Sequence, residues 1–195
     1  MTGKVILGII SAIATFVGFV PYVHSIWQRK TKPHLFTWLV WGTLTGIIFA
    51  IQISQHAGPG SWGIGLTAVT CTVIMVLCLF WGEKTGSRFD WAALIVSLAT
   101  IPIWLATSDP TLSAVLVTFI DVAAFYPTVS KTYQNPWNEN LFYYWIWLIK
   151  YPTAVVGLNV MNVANAVYPV VWTIIGIAFL VMAIYRRSVL AGKLK

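Results

Sequence analysis

The chain has 195 residues, 58% of them hydrophobic and only 9% charged, with a net charge of +7. A soluble globular domain carries roughly 25% charged residues, so this composition excludes a water-soluble fold and makes lipid the natural solvent. A spanning helix needs about 20 mostly apolar residues, which allows at most seven or eight spans and leaves little for a soluble domain.

In chain order, the apolar runs predict helices over 5–27, 34–54, 60–81, 89–107, 111–133, 139–159 and 165–186. Inside lipid every backbone group must bond internally, so each run reads as a helix. Short loops separate them, such as Gln28 to Pro33, Gln55 to Pro59, Gly82 to Arg88 and Ser108 to Pro110. The first run has a lysine and small residues and imitates a signal peptide, but the repeat described below argues that it is a retained span.

The basic residues set the expected orientation. Arg29, Lys30, Lys32, Lys84, Arg88, Lys131, Arg186, Arg187, Lys193 and Lys195 all follow odd-numbered spans, and Lys4 stands alone on the other side. Cytoplasmic loops are enriched in Lys and Arg. The N-terminus is therefore expected outside and the C-terminus in the cytoplasm, in the plasma (inner) membrane. This accounts for the positive charge without nucleic acid, and anionic lipid is the expected extra contact. Cys71 and Cys78 lie on one helix face, too far apart for a disulfide, and read as small packing residues.

An internal repeat runs at a constant offset of 106 residues. It lays Pro21 on Pro127, Val23 on Val129, Gln28 on Gln134, Leu35-Phe36 on Leu141-Phe142 and Trp41 on Trp147. Trp27 and Trp38 fall on the aromatics Tyr133 and Tyr144, and Thr67 falls on Thr173. A coincident Pro, Gln and Trp at fixed offset is not a chance product of an apolar chain. Three spans per repeat plus one linker span give both repeats the same orientation. The expected fold is an all-α integral membrane protein of seven transmembrane helices. Residues 1–82 form the first triple-helix repeat, 83–108 the linker helix, and 109–195 the second repeat with a short cytoplasmic tail.

With a proline late in the first helix of each repeat, a short polar loop and an aromatic-rich second helix, the chain resembles the PQ-loop superfamily, which includes the SWEET sugar transporters. The resemblance covers most of the chain. It departs from the motif after each proline, where Tyr22 and Thr128 stand in place of Gln. SWEET proteins carry an Asn at mid-depth in the third helix of each repeat. Here Thr67, Thr70 and Thr173 are offered instead, and Asn162 and Asn165 sit nearer the outer end. The resemblance implies a transporter of a small polar solute, a sugar or an amino acid, working by alternating access. Relatives in the wider group include proton-coupled amino-acid exporters, nicotinamide riboside carriers and a cargo-retrieval receptor. A receptor or scaffold that binds without transporting is therefore the alternative.

Several residues could carry chemistry. Pro21 and Pro127 each remove a helix hydrogen bond and permit a bend, so they are candidate hinges, and a static kink is the other reading. Asp121 and Lys150 are expected at similar depth, roughly 13–15 Å below the outer surface at 1.5 Å per residue. Charges at that depth mark a pathway or a paired site. A structural salt bridge, a binding pair for a charged or zwitterionic solute, and a proton-coupling carboxylate at Asp121 all remain open. Trp41 and Trp147 are candidates for lining a cavity, where aromatic faces stack on sugars or cations, or for packing. Gly42 and Gly46 form a small-residue motif that suits internal packing or a homo-oligomer contact. His24, His34 and His56 have no metal-ligand spacing, and no hydrolase or phosphate-loop motif occurs. Neither enzyme activity, metal nor cofactor is expected. The expected partners are the bilayer, a small solute and protons.

Overall fold

The computed structural model describes residues 2–86, 88–137, 139 and 141–192, with the side chains of all these but Phe89, Asp90, Ala93, Pro127 and Gly192. Lys193 and Lys195 lie outside the described residues. Among the described residues seven α-helices follow one another: α1 Gly3–Trp27, α2 Leu35–Ser54, α3 Trp62–Trp81, α4 Arg88–Thr107, α5 Pro110–Gln134, α6 Leu141–Val156 and α7 Val163–Gly192. A 3-10 turn, Gly58–Ser61, leads into α3. There is no strand among the described residues, only an isolated bridge between His34 and Glu83.

Among the described residues five stretches are long and apolar enough to cross a bilayer: Gly3–Trp27, Leu35–Ser54, Gly58–Trp81, Pro110–Gln134 and Val163–Ala191. Helix α4 has a shorter apolar part, Leu94–Thr107. Helix α6 has 16 residues, about 24 Å at 1.5 Å per residue. It ends earlier than the expected 159 because Gly157 leaves the helix to accept from the Gly60 N–H at 3.1 Å. Helix α7 runs past the expected 186, and Arg187 ties its extension to the carbonyls of Pro136 and Glu139.

The surface is inverted relative to a soluble protein. Ile6, Ile13, Phe16 and Val20 on α1 are exposed at helical spacing, as are Val69, Val73, Val76 and Phe80 on α3. Ile174, Ile177, Val181 and Ile184 form a similar stripe on α7. Soluble monomers rarely expose contiguous apolar patches beyond a few hundred Å². The interior instead collects Ser11, Thr15, Thr45, Gln52, Thr67, Asp121, Lys150 and Asn165. An apolar surface around an interior that combines an apolar core with buried polar and charged side chains is the pattern of an integral membrane protein.

Packing is regular. Helix α3 lies between α1 and α2, and α7 lies between α5 and α6. The two trios meet through α1 against α6 and α2 against α5, while α4 lies against α2 and α5. Gly42 packs on Cys71 of α3, whereas a Cβ at Gly46 would meet no other element within 4 Å among the described residues, so the first glycine of the motif serves internal packing. The hydroxyls of many buried threonines bond the carbonyl one turn back, as Thr15 does to Ser11 and Thr67 to Gly63. This satisfies them without water.

Helix α5 starts where Asp109 accepts from the Thr111 and Leu112 N–H groups at 2.8 and 3.0 Å, with Pro110 in the first turn. Those are the preferred residues for a cap and a first helical position. Pro169 inside α7 lacks an N–H, so the Asn165 carbonyl loses its usual donor. The Gln52 side chain of α2 supplies one at 2.8 Å.

Candidate functional site

The site begins with two charged side chains that the helices carry inward. Asp121 is 4% exposed and Lys150 3%. Both line one central chamber of about 80 Å³. The Tyr168 hydroxyl donates to Asp121 Oδ2 at 2.7 Å. Lys150 Nζ donates to Thr67 Oγ1 at 2.6 Å and stands 4.7 Å from the Tyr151 ring centroid. No ion pair joins Asp121 to Lys150 among the described residues; each charge has its own partner. Of the three readings left open, the structural salt bridge is thus not formed. The buried Trp172 Nε1–H has no hydrogen-bond partner among the described residues.

The wall around these charges is uneven. Phe125, Tyr144, Trp147, Tyr151, Tyr168 and Trp172 form an aromatic cluster on the side of α5, α6 and α7. Thr45, Thr67 and Cys71 of α2 and α3 face them with small side chains. Ser11 Oγ donates to the Lys150 carbonyl at 2.9 Å and fixes the α6 backbone that carries the lysine against α1.

A larger cavity of about 620 Å³ lies next to the chamber. Phe19, Trp41, Thr128, Tyr143 and Tyr144 line both and form the partition between them. Pro21, Tyr22, Ser25, Lys32, His34, Trp38 and Glu139 place the larger cavity at the end of the molecule that bears the basic loops. The opposite end, near the N-terminus, is shut by direct backbone contact. Gly60 N–H donates to Gly157, and Asn159 N–H donates to the Ala57 carbonyl at 2.8 Å. Gly58 has φ +66°, and a Cβ there would collide with the Asn159 side chain, so this turn requires glycine.

Of the residues singled out in the sequence, Trp41, Trp147, Asp121 and Lys150 come together at the chamber. Thr70 does not; it lines a separate apolar groove between α1 and α3, and its hydroxyl bonds the Leu66 carbonyl. The Thr173 hydroxyl is likewise turned to its own helix, on the Pro169 carbonyl. Thr67 takes the place expected of them. Pro21 lies within α1 at the wall of the larger cavity. Pro127 falls within α5, but its side chain lies outside the described residues. Phe19, Phe125, Thr45 and Tyr151 were missed. The 106-residue offset pairs Phe19 with Phe125 and Thr45 with Tyr151, so extending the repeat by a turn would have found them. No cluster of His, Cys, Asp or Glu suited to a metal exists among the described residues.

Fold and site together define an all-α membrane chain with two buried charged side chains at a chamber that adjoins a cavity at the basic end. No protein-family model, curated protein or solved structure matches the chain.

Proposed function

We propose that the chain is a small-solute transporter with a PQ-loop, SWEET-like arrangement, in which two parallel triple-helix repeats joined by α4 alternate access to the central chamber. Seven helices would span the membrane, with the N-terminus outside and the basic end in the cytoplasm of a plasma (inner) membrane. The packing order α1–α3–α2, matched by α5–α7–α6 at the 106-residue offset, supports the repeats. The observation that carries the reading is the chamber itself: it holds two buried charges, adjoins a cavity at the basic end and is closed at the other. That is the layout of an inward-facing carrier. Pro21 and Pro127 would serve as hinges for the cytoplasmic halves of α1 and α5, with Asp121 as the coupling carboxylate if transport is proton-driven.

The test is uptake by liposomes holding purified full-length protein, with labelled sugars and amino acids, with and without an inward proton gradient. Saturable flux of one class is expected. Asp121→Asn should abolish gradient-driven uptake while exchange persists if the carboxylate couples protons. Folded protein that binds a solute but moves none would instead be the receptor or scaffold of the same fold.

A further inference from the structure

We infer that the central chamber binds a small zwitterion, an α-amino acid of glycine or alanine size, with its ammonium group at Asp121 and its carboxylate at Lys150. This deepens the transport reading of the same chamber and depends on it only for what happens after binding.

The first reason is electrostatic. A buried charge is costly unless an opposite charge or several hydrogen bonds compensate it. Here two opposite charges share one chamber, both almost fully buried, and do not pair. A ligand carrying one charge of each sign compensates both at once. A neutral polyol compensates neither.

The second reason is unused bonding capacity. An ammonium group has three donors, and Lys150 Nζ uses one, on Thr67. Asp121 receives the Tyr168 hydroxyl on Oδ2, and its Oδ1 accepts no hydrogen bond among the described residues. Free donors on one side and a free acceptor on the other match a carboxylate and a primary ammonium group.

The third reason is shape. Trp147 packs on Phe125, Tyr143, Tyr144, Tyr151 and Trp172 with centroids 5.0 to 5.9 Å apart and planes inclined by 48° to 80°. These inclined contacts hold Trp147 within a packed ring cluster rather than as an isolated flat platform. The chamber, about 80 Å³ against about 620 Å³ for the cavity beside it, is the narrower space and suits a glycine-sized solute better than a hexose.

The experiment measures binding to the purified full-length chain by calorimetry. The probes are glycine, L-alanine, glycine methyl ester, N-acetylglycine, trimethylglycine and glucose. Glycine or alanine should bind. The ester, the N-acetyl and the trimethyl compounds should bind at least about tenfold more weakly, because each loses a charge or the N–H donors for Oδ1. Asp121→Asn should weaken glycine by about tenfold or more and leave N-acetylglycine unchanged. If that variant does not fold, the probe series on the native chain decides alone. Glucose binding without glycine binding, equal binding of glycine and its ester, or binding of no probe would overturn the assignment. In liposomes, glycine binding without flux would overturn transport and leave the site standing. Glucose flux without glycine binding would overturn the site and leave transport standing.

Discussion

The two ends of the molecule are built on opposite principles. At the N-terminal end the chain closes on itself through backbone: Gly60 against Gly157, Ala57 against Asn159, and Gln52 and Asn165 bonded between α2 and α7. At the basic end the helices stand apart around a cavity of about 620 Å³, lined by rings and by the opposite charges of Lys32 and Glu139. Backbone contacts tolerate no added atom, whereas side chains around a cavity can turn. The difference teaches that closure at one end is specified by glycine and amide geometry. Closure at the other would have to come from moving helices.

The comparison can be broken at its tightest point. Gly60→Leu should have the largest effect, because even a Cβ there meets the Ala154 carbonyl and Leu158. A loss of about 3 kcal/mol is expected, the upper range for overpacking, seen as a lower midpoint in thermal unfolding of the purified protein. An unchanged midpoint would mean that the two backbones do not approach as described. Gln52→Leu comes next. It leaves the Asn165 carbonyl without a donor, at a cost of about 2 kcal/mol, and the N-terminal end should become reactive to a water-soluble maleimide through a cysteine placed at Ala57. Equal labelling with and without Gln52 would show that this amide does not hold the end shut.

Weaker effects are expected at the basic end. Arg187→Ala removes three bonds to the Pro136 and Glu139 carbonyls, yet these lie near water, so about 1 kcal/mol is expected. A loss as large as that of Gly60→Leu would refute the contrast between the ends. Lys32→Ala at the cavity mouth should change stability by less than about 0.5 kcal/mol, read from the same melts. Any marked destabilisation would mean that Lys32 holds structure rather than faces open space.

Much of this was legible beforehand. Hydropathy located all seven helices, since apolar runs and Gly/Pro punctuation carry that information directly. Depth arithmetic brought Asp121 and Lys150 to one level, and the repeat brought Trp41 and Trp147 to one chamber. What depth does not specify is the direction in which a side chain points around the helix axis. For that reason Thr70 and Thr173 were expected at the site, where Thr67 stands instead, and a salt bridge was left open where two separate partners occur. The α6 boundary was missed because a contact between Gly60 and Gly157, distant in the chain, ends that helix. Gln52 was overlooked because its task arises from a proline on another helix.

That last pairing has a kinetic consequence. Where a helix proline is served by its own neighbours, its freed carbonyl moves with the helix and stays satisfied. Asn165 depends on a donor from the other trio, so parting the N-terminal end strands a carbonyl in a nonpolar setting until a water replaces the amide. Hydration of this seam must therefore come before its separation, and the rate of opening would follow how readily a single water molecule reaches it.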